Sequence, residues 1–504
     1  MHALRLLMLA ASALFFQACD HDAPQEVQTV SVETAWVADG GGVEANEWGQ
    51  GVTVDSDGNV IVVGALSRFA KVVDSDLDCQ RDHFGSQDFP DVVVAKLDPR
   101  GRLLWARCAG HDGYSDRYDY GADVATDRQG NIYVTGMFHG PARFGAIQIP
   151  ETSGQEIFVA KLSPSGKFLW VTRSTTDRED LGGEETPMAH RIAVDRFGSS
   201  YVVGHFRLGI ELGDISITNQ DYWRGSLFVA KLDPAGKPLW VTPAETGGEH
   251  IGWMVAHRAG IAVGRSGSVY IASIYDRTAR LGQHLLKSRG GYDALVARLD
   301  AGGRFAWAQS LGGAAEDGAT ALAVDDAENL YVAGIFGYQS DEAGLEGGSI
   351  TIGAKELRSA GLNDVFVTRL SSAGDADWSI ALGGLGGDVA SDIAVDDSGR
   401  CYVTGHFELA ARFGEITLTG QGWGDAFVAR LDQPLKDAER VSVAWATAAG
   451  GSDSDVRARG VAVDSSGEVT VTGVFAGKPR FGGVELRSRG EEDLFVWKLR
   501  EVTR

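Results

Sequence analysis

Residues 155–170 read QEIFVAKLSPSGKFLW, and residues 225–240 read GSLFVAKLDPAGKPLW. Each copy is an apolar run, a basic residue, a Pro/Gly turn and a second short run ending on tryptophan, which predicts two antiparallel strands and a tight turn. The closing tryptophan recurs as Trp36, Trp105, Trp170, Trp240, Trp307, Trp378 and Trp445, at gaps of 69, 65, 70, 67, 71 and 67. A second landmark, an Ala-Val-Asp turn, recurs at Asp55, Asp127, Asp195, Gly264, Asp325, Asp396 and Asp464. Self-similarity at a fixed period identifies a repeat architecture, here seven units of nearly seventy residues.

Each unit holds four strand-like runs. In the sixth they are SDIAVD (391–396), CYVTGHF (401–407), AFVARLD (426–432) and VAWATAAG (443–450). They are rich in β-branched and aromatic residues, separated by Gly, Asp and Ser, and carry no helical periodicity. Four antiparallel strands repeated radially make a β-propeller. The chain begins with a lone fourth-strand element, ETAWVADGG (33–41), and ends after a third, DLFVWKLR (493–500). The expected fold is therefore all-β: a seven-bladed β-propeller of four-stranded antiparallel blades. The N-terminal strand completes the last blade and closes the ring, removing an open sheet edge.

The phrases DRQGNIYVTGMF (127–138) and DDSGRCYVTGHF (396–407), together with FVAKLD and the terminal Trp, resemble the SBBP-type β-propeller repeat of bacterial exported proteins. The resemblance runs along almost the whole chain after the leader and implies the fold. It implies no activity, because no shared catalytic residues can be carried over. Unit four departs most, with Gly264 in place of Asp and Ser273 in place of Gly.

A length of 504 residues exceeds what one ordinary core supports, and 67 glycines against 12 prolines suit many short strands. The formal net charge of −23 excludes phosphate-backbone binding in the absence of a basic face, so no nucleic-acid partner is expected. The opening MHALRLLMLAASALFFQACDHD reads as a signal peptide over residues 1–18. Ala18-Cys19 resembles the end of a bacterial lipobox, although Phe16 and Gln17 depart from it. The domain reading is a signal peptide (1–18), a flexible tether (19–31) and the propeller (32–500). That places an exported, monomeric lipoprotein in the cell envelope, at the periplasm or surface, held to the membrane by lipid alone. Cys79 and Cys108 fall in one repeat and are either a disulfide or two free thiols. Cys401 sits in an apolar strand as a small core residue.

The connections separate scaffold from variation. From the Ala-Val-Asp position to the YVTG glycine position the distance is 9 in all seven units, and from the third-strand basic residue to the next Trp it is 9 in five of six. The second-to-third connection spans 20 to 30 residues and the fourth-to-first spans 18 to 25. In an antiparallel meander these two emerge on one face, the usual place for a binding surface; neutral drift on a tolerant face is the plainer reading. The candidate binding residues in these loops are Tyr114, Tyr118, Tyr120, Tyr222, Trp223, His250, Trp253 and His257. Exposed aromatics and imidazoles there suit a protein or glycan partner, or else cap the rim.

The basic residue of FVAKL recurs in every unit (Lys96, Lys161, Lys231, Arg298, Arg369, Arg430, Lys498), which signals a structural position paired with an acid. The acidic runs DSDLD (74–78) and DREDLGGEE (177–185) lack EF-hand spacing, and no zincin, nucleophile-elbow or P-loop motif occurs. Hence no catalytic residue, cofactor or metal site is assigned. The preferred reading is a non-enzymatic binding or scaffold module. The alternatives are an envelope hydrolase or lyase with its site at the central-channel mouth, and a cation-stabilised adhesive module.

Overall fold

The computed structural model describes residues 30–42, 46–67, 70–73, 75–76, 90–111, 118–152, 154–175, 187–219, 225–248, 259–338, 347–434 and 441–503. Among them every regular element is a strand and none is a helix. Unit 2 shows why the repeat folds as it does. Its strands Tyr120–Thr126, Ile132–His139, Gln155–Leu162 and Phe168–Thr175 pair antiparallel in that order. At the first turn the Asp127 Oδ1 accepts the N–H groups of Gln129 and Asn131 at 3.0 and 2.9 Å. Gly130 supplies the left-handed residue at φ +74°. The Tyr133 hydroxyl donates to the other carboxylate oxygen at 3.1 Å, and Lys161 lies 3.7 Å from it.

The repeated basic residue does pair with this turn acid in units 1, 2 and 7, at 2.8 Å for Lys96–Asp55 and 2.9 Å for Lys498–Asp464. Elsewhere the partner changes. Arg369 meets Asp377, Arg430 meets Asp432 and Glu501, Arg298 donates to Ser268, and Lys231 stands 4.9 Å above the Tyr201 ring.

Unit 4 lacks the turn carboxylate, and its neighbour supplies one. Glu328 of unit 5 reaches across to accept the Ser266 N–H at 2.6 Å and the Ser266 and Tyr270 hydroxyls at 3.0 Å each. A Cβ on residue 264 would sit 2.6 Å from the Glu328 Cδ, so the missing side chain is what admits the glutamate. Glu328 itself occupies a turn position that is glycine in most units and takes φ +62°. The two departures from the repeat are one compensated exchange.

Each unit is built with its neighbour. The sequence predicted four strands per blade, but the second-to-third connection carries a further two-stranded hairpin. In unit 2 it is Ala142–Phe144 with Ile147–Ile149, and it pairs with the fourth strand of unit 1, Ala142 opposite His111 and Phe144 opposite Ala109. The corresponding contacts are Ser174 opposite Leu212, Glu245 opposite Arg280, Gly312 opposite Thr351, Gly383 opposite Arg412, Ala449 opposite Phe481 and Gly40 opposite Val72. Several sheets thereby become six-stranded, and in units 3 and 4 the pairing runs on into one sheet of eight. The hairpin covers part of the outer edge strand, which would otherwise offer free donors and acceptors.

The tryptophans make a second crossing of the same junctions. The indole N–H of Trp36, Trp105, Trp170, Trp240 and Trp307 donates to the turn carbonyls of Pro99, Pro164, Pro234, Ala301 and Ser372 in the next unit, at 2.9 to 3.2 Å. Trp378 finds the Gln433 Oε1 at 3.1 Å and Trp445 the Glu501 Oε1 at 2.8 Å. In four of these turns a glycine at φ +80 to +86° lies against the indole face, where a Cβ would come within 2.9 Å of it.

Every apolar cluster among the described residues draws on two successive units; one joins Val134 and Phe158 of unit 2 to Val63 and Val94 of unit 1. The first strands of successive units pack side by side, and that of unit 7 packs against that of unit 1. The N-terminal strand, Val30–Gly41, pairs with Asp493–Thr503 from Val30 opposite Thr503 to Gly40 opposite Leu494. Both strands exceed the predicted 33–41 and 493–500. The extra residues include Val30 and Val32, which pack on the cluster of units 6 and 7.

The exchange between units 4 and 5 can be tested by reciprocal substitution. Glu328→Gly removes acceptors from Ser266 and Tyr270 while relaxing a left-handed backbone, for a net loss of about 1 kcal/mol. Adding Gly264→Asp should restore the parental denaturation midpoint, whereas Gly264→Asp alone should lower it.

Candidate functional site

Of the candidate binding residues, Tyr114, Tyr222, Trp223, His250, Trp253 and His257 lie outside the described residues, as do Cys19 and Cys79. Cys108 is disulfide-bonded, and Cys401 is a buried free thiol whose pKa burial raises. Tyr118 is exposed and packs on Trp48, their ring centroids 5.9 Å apart. The Trp48 indole in turn donates to Glu492 at 3.0 Å. Tyr120 is half-buried, and desolvation pushes its hydroxyl up to about 12 against the pull of Arg459. The structure thus brings Tyr118 and Tyr120 of unit 2 together with Trp48 of unit 1 and with Glu492 and Arg459 of unit 7.

Charged groups also meet among the first strands. Each first strand of units 1, 2, 3, 5, 6 and 7 carries a bulge, and the residues after it in units 2, 3 and 6 are Asp123, Arg191 and Asp392. Arg191 lies 3.4 Å from the Asp123 Oδ1 and 3.2 Å from the Asp392 Oδ1, and donates to the Ser391 carbonyl at 3.1 Å. One guanidinium therefore ties unit 3 to unit 2 beside it and to unit 6. Each acid also accepts an N–H from the next unit's first strand, Ile192 for Asp123 and Val461 for Asp392, both at 2.9 Å. Burial nevertheless raises Asp123 to about 6. Beside this triad the His190 Nε2 and His205 Nδ1 stand 2.8 Å apart, with ring centroids 5.0 Å apart and 24° between the planes. Nearly coplanar rings at that separation meet head-on, as one imidazole N–H donating to the other imidazole nitrogen does.

A third group was not singled out from sequence. Leu362, Leu385, Leu409 and Trp423 are exposed by 43, 71, 62 and 84%, all on second-to-third or fourth-to-first connections. Their loops are stacked in order. The 361 position abuts the Leu385 carbonyl, the 386 position abuts Glu408, Gly420 N–H donates to Leu409 O, and Trp423 N–H donates to Ser454 O at 3.2 Å. Lone leucines and a tryptophan in GLND, GGLGGD and GQGWGD have no periodicity to mark them. The available signal was a large apolar residue between glycines, where no strand could bury it.

Buried acids hold these loops. Asp388 accepts the Gly384 N–H, Asp364 accepts the Ala360 N–H at 3.0 Å, and Asp317 accepts those of Gly313 and Gly337 at 2.7 and 3.1 Å. Desolvation is the leading cause of their raised pKa values, about 7 for Asp388, 6 for Asp364 and 8 for Asp317.

Replacing Arg191 by Met leaves buried Asp123 and half-buried Asp392 without their shared cation, an uncompensated arrangement that costs about 3 kcal/mol. The folded variant should hold a proton there that the unfolded chain releases. Its deficit should therefore be smaller at pH 5 than at pH 8 in chemical denaturation. An equal deficit at both values contradicts the ion-triad assignment.

The chain is 24% identical over 243 residues to an uncharacterized WD repeat-containing protein of Acanthamoeba polyphaga mimivirus, a match covering 41% of this chain and 16% of that protein's length. Among solved structures, a puromycin hydrolase mutant complexed with PGG has a TM-score of 0.40 at 12% identity, covering 88% of this chain and 54% of the other. A gluconolactonase from Xanthomonas campestris has a TM-score of 0.32 at 12% identity, covering 74% and 86%. Residues 105–137, running from the latch tryptophan of unit 1 through most of the second strand of unit 2, match SBBP, and the chain carries this beta-propeller repeat.

Proposed function

We propose that the seven units are the blades of a closed propeller ring and that the chain works as a binding module of the cell envelope, without catalysis. Its partner is a protein or glycan taken on the face that carries the second-to-third and fourth-to-first connections. Cys19 is the proposed lipid anchor, and Cys79 the proposed partner of the Cys108 disulfide.

The observation that carries this reading is the exposure of Leu362, Leu385, Leu409 and Trp423 on neighbouring loops of one face. Large apolar side chains left in water on adjoining loops support an interaction surface there, while the exposed Leu104, Leu169, Phe197 and Leu239 of the opposite connections come from separate turns. Tyr118, on a connection of the same kind, adds an aromatic pair with Trp48 at the start of the first strand of unit 1, tilted by 32°. Against the hydrolase or lyase reading stands the use of Asp123 and Asp392, both engaged by Arg191 and by backbone N–H groups. A general acid or base needs a proton path to substrate, which these contacts occupy.

The test is capture from an envelope extract on the immobilised full chain, compared with a Leu385→Asp, Trp423→Asp variant and with Tyr118→Ala. Loss of the captured species in the double variant is the expected result, and equal capture by all three chains contradicts the reading. In cells, Cys19→Ala should move the protein from the membrane to the soluble fraction; a variant that stays with the membrane removes the anchor.

A further inference from the structure

At several junctions an acid at the start of a third strand meets an acid at the start of the next unit's first strand, or stands there alone. A base accompanies it in most cases. Asp119 has His139 at 3.1 Å, Glu156 has Arg173 at 2.6 Å, Asp455 beside Asp425 has Arg457 at 2.6 Å, and Asp493 beside Glu47 has Arg489 at 3.8 Å.

The junction of units 5 and 6 differs. Asp364 and Asp388 are 2% and 1% exposed, and both carboxyl groups reach within 2.8 Å of one point, the place a Cβ on Gly383 would take. The Oδ1 of each has no hydrogen-bond partner. The nearest further charge is a third acid, Glu408, which accepts the Gly387 N–H at 3.4 Å. Arg412 is paired through its backbone with Gly383, but its guanidinium turns away to the Gly414 carbonyl and Glu415. On the second strand of unit 6, His406 lies opposite Val389, next to Asp388 in the chain. No ion pair reaches either aspartate among the described residues.

An oxygen of each carboxylate lies within 2.8 Å of that point, so the two groups approach to within about 5 Å, and with no counterion built in a proton is the simplest neutraliser of two such buried acids. We infer that Asp364 and Asp388 hold a proton between them and act as a pH-sensitive clamp on the loops that carry Leu362 and Leu385. With the proton in place, the pair carries a single charge and each aspartate keeps its loop amide, Ala360 or Gly384. Removing it leaves two like charges beside Glu408, and the loops part. Burial holds both pKa values above the unfolded value of 3.8. The clamp is therefore closed below the folded values and lost as pH rises through about 6 to 7. Its effect on a ligand rests on the binding reading of this face, but the clamp itself does not.

Hydrogen exchange of the full chain tests it, with segments 359–364 and 383–388 followed at pH 5.5 and 8.0 and expressed as protection factors to remove the intrinsic pH dependence. Protection in the parent chain should fall at least tenfold at pH 8.0. Asp388→Asn supplies its own hydrogens without charge and should flatten that fall, with Asp364→Asn as the second variant should the first fail to fold. Unchanged protection in the parent overturns the inference, as does a fall that persists in the folded asparagine variant. Recovery at pH 8.0 on adding calcium also overturns it, because the pair would then hold a cation.

Discussion

The indole N–H that ends each unit has its acceptor in the next one, and little else in the molecule would hold without that displacement. A tryptophan on a fourth strand finds its carbonyl or side-chain oxygen one unit on, from Pro99 for Trp36 to Glu501 for Trp445. The hairpin of the second-to-third connection runs the other way and pairs with the preceding unit's edge. The apolar clusters lie between sheets. A unit in isolation would leave its tryptophan, edge strand and apolar faces unpaired, so its stability comes from its neighbours, as expected for stacked repeats. The same logic explains Glu328, which serves a turn in unit 4 from a position in unit 5.

Much of this was legible in QEIFVAKLSPSGKFLW and its copies because the structural positions repeat. Trp170 follows Lys161 by nine residues, as in four other units, and Asp127 precedes its strand glycine by nine, and each of the three has an inter-unit or turn role in the structure. The hairpins were missed although they also repeat. Phe144-Gly145, Phe413-Gly414 and Phe481-Gly482 share a glycine at φ +59 to +60° and an apolar residue that enters the core. Their strands are only two to four residues long in most units, too short for an alternation to show, so they passed as loop length. The exchange at Gly264 and Glu328 was half visible as two oddities; only side-chain reach joins them.

The surface was less legible for a physical reason. Binding residues on loops are single side chains whose exposure depends on backbone paths with no period. Tyr118 and Tyr120 stand out in the sequence as tyrosines of a variable loop, whereas Leu385 and Trp423 stand alone among glycines. The structure adds that these loops rest on buried acids with raised pKa values. A scaffold latched by indole-to-oxygen bonds and apolar clusters therefore carries loops whose buried acidic supports have pKa values raised towards neutrality. Buried acids of this kind are poor stabilisers, and a titratable support beneath exposed apolar residues suits a surface that changes with its medium.

Closure by the first strand is the central claim, and strand complementation tests it most directly. A chain lacking residues 30–41 should expose the Asp493–Thr503 edge, lose the Trp36 latch and unfold at lower denaturant, and a synthetic 30–41 peptide added in trans should restore the parental midpoint. A truncated chain that unfolds with the parental midpoint, peptide or no peptide, would contradict the account.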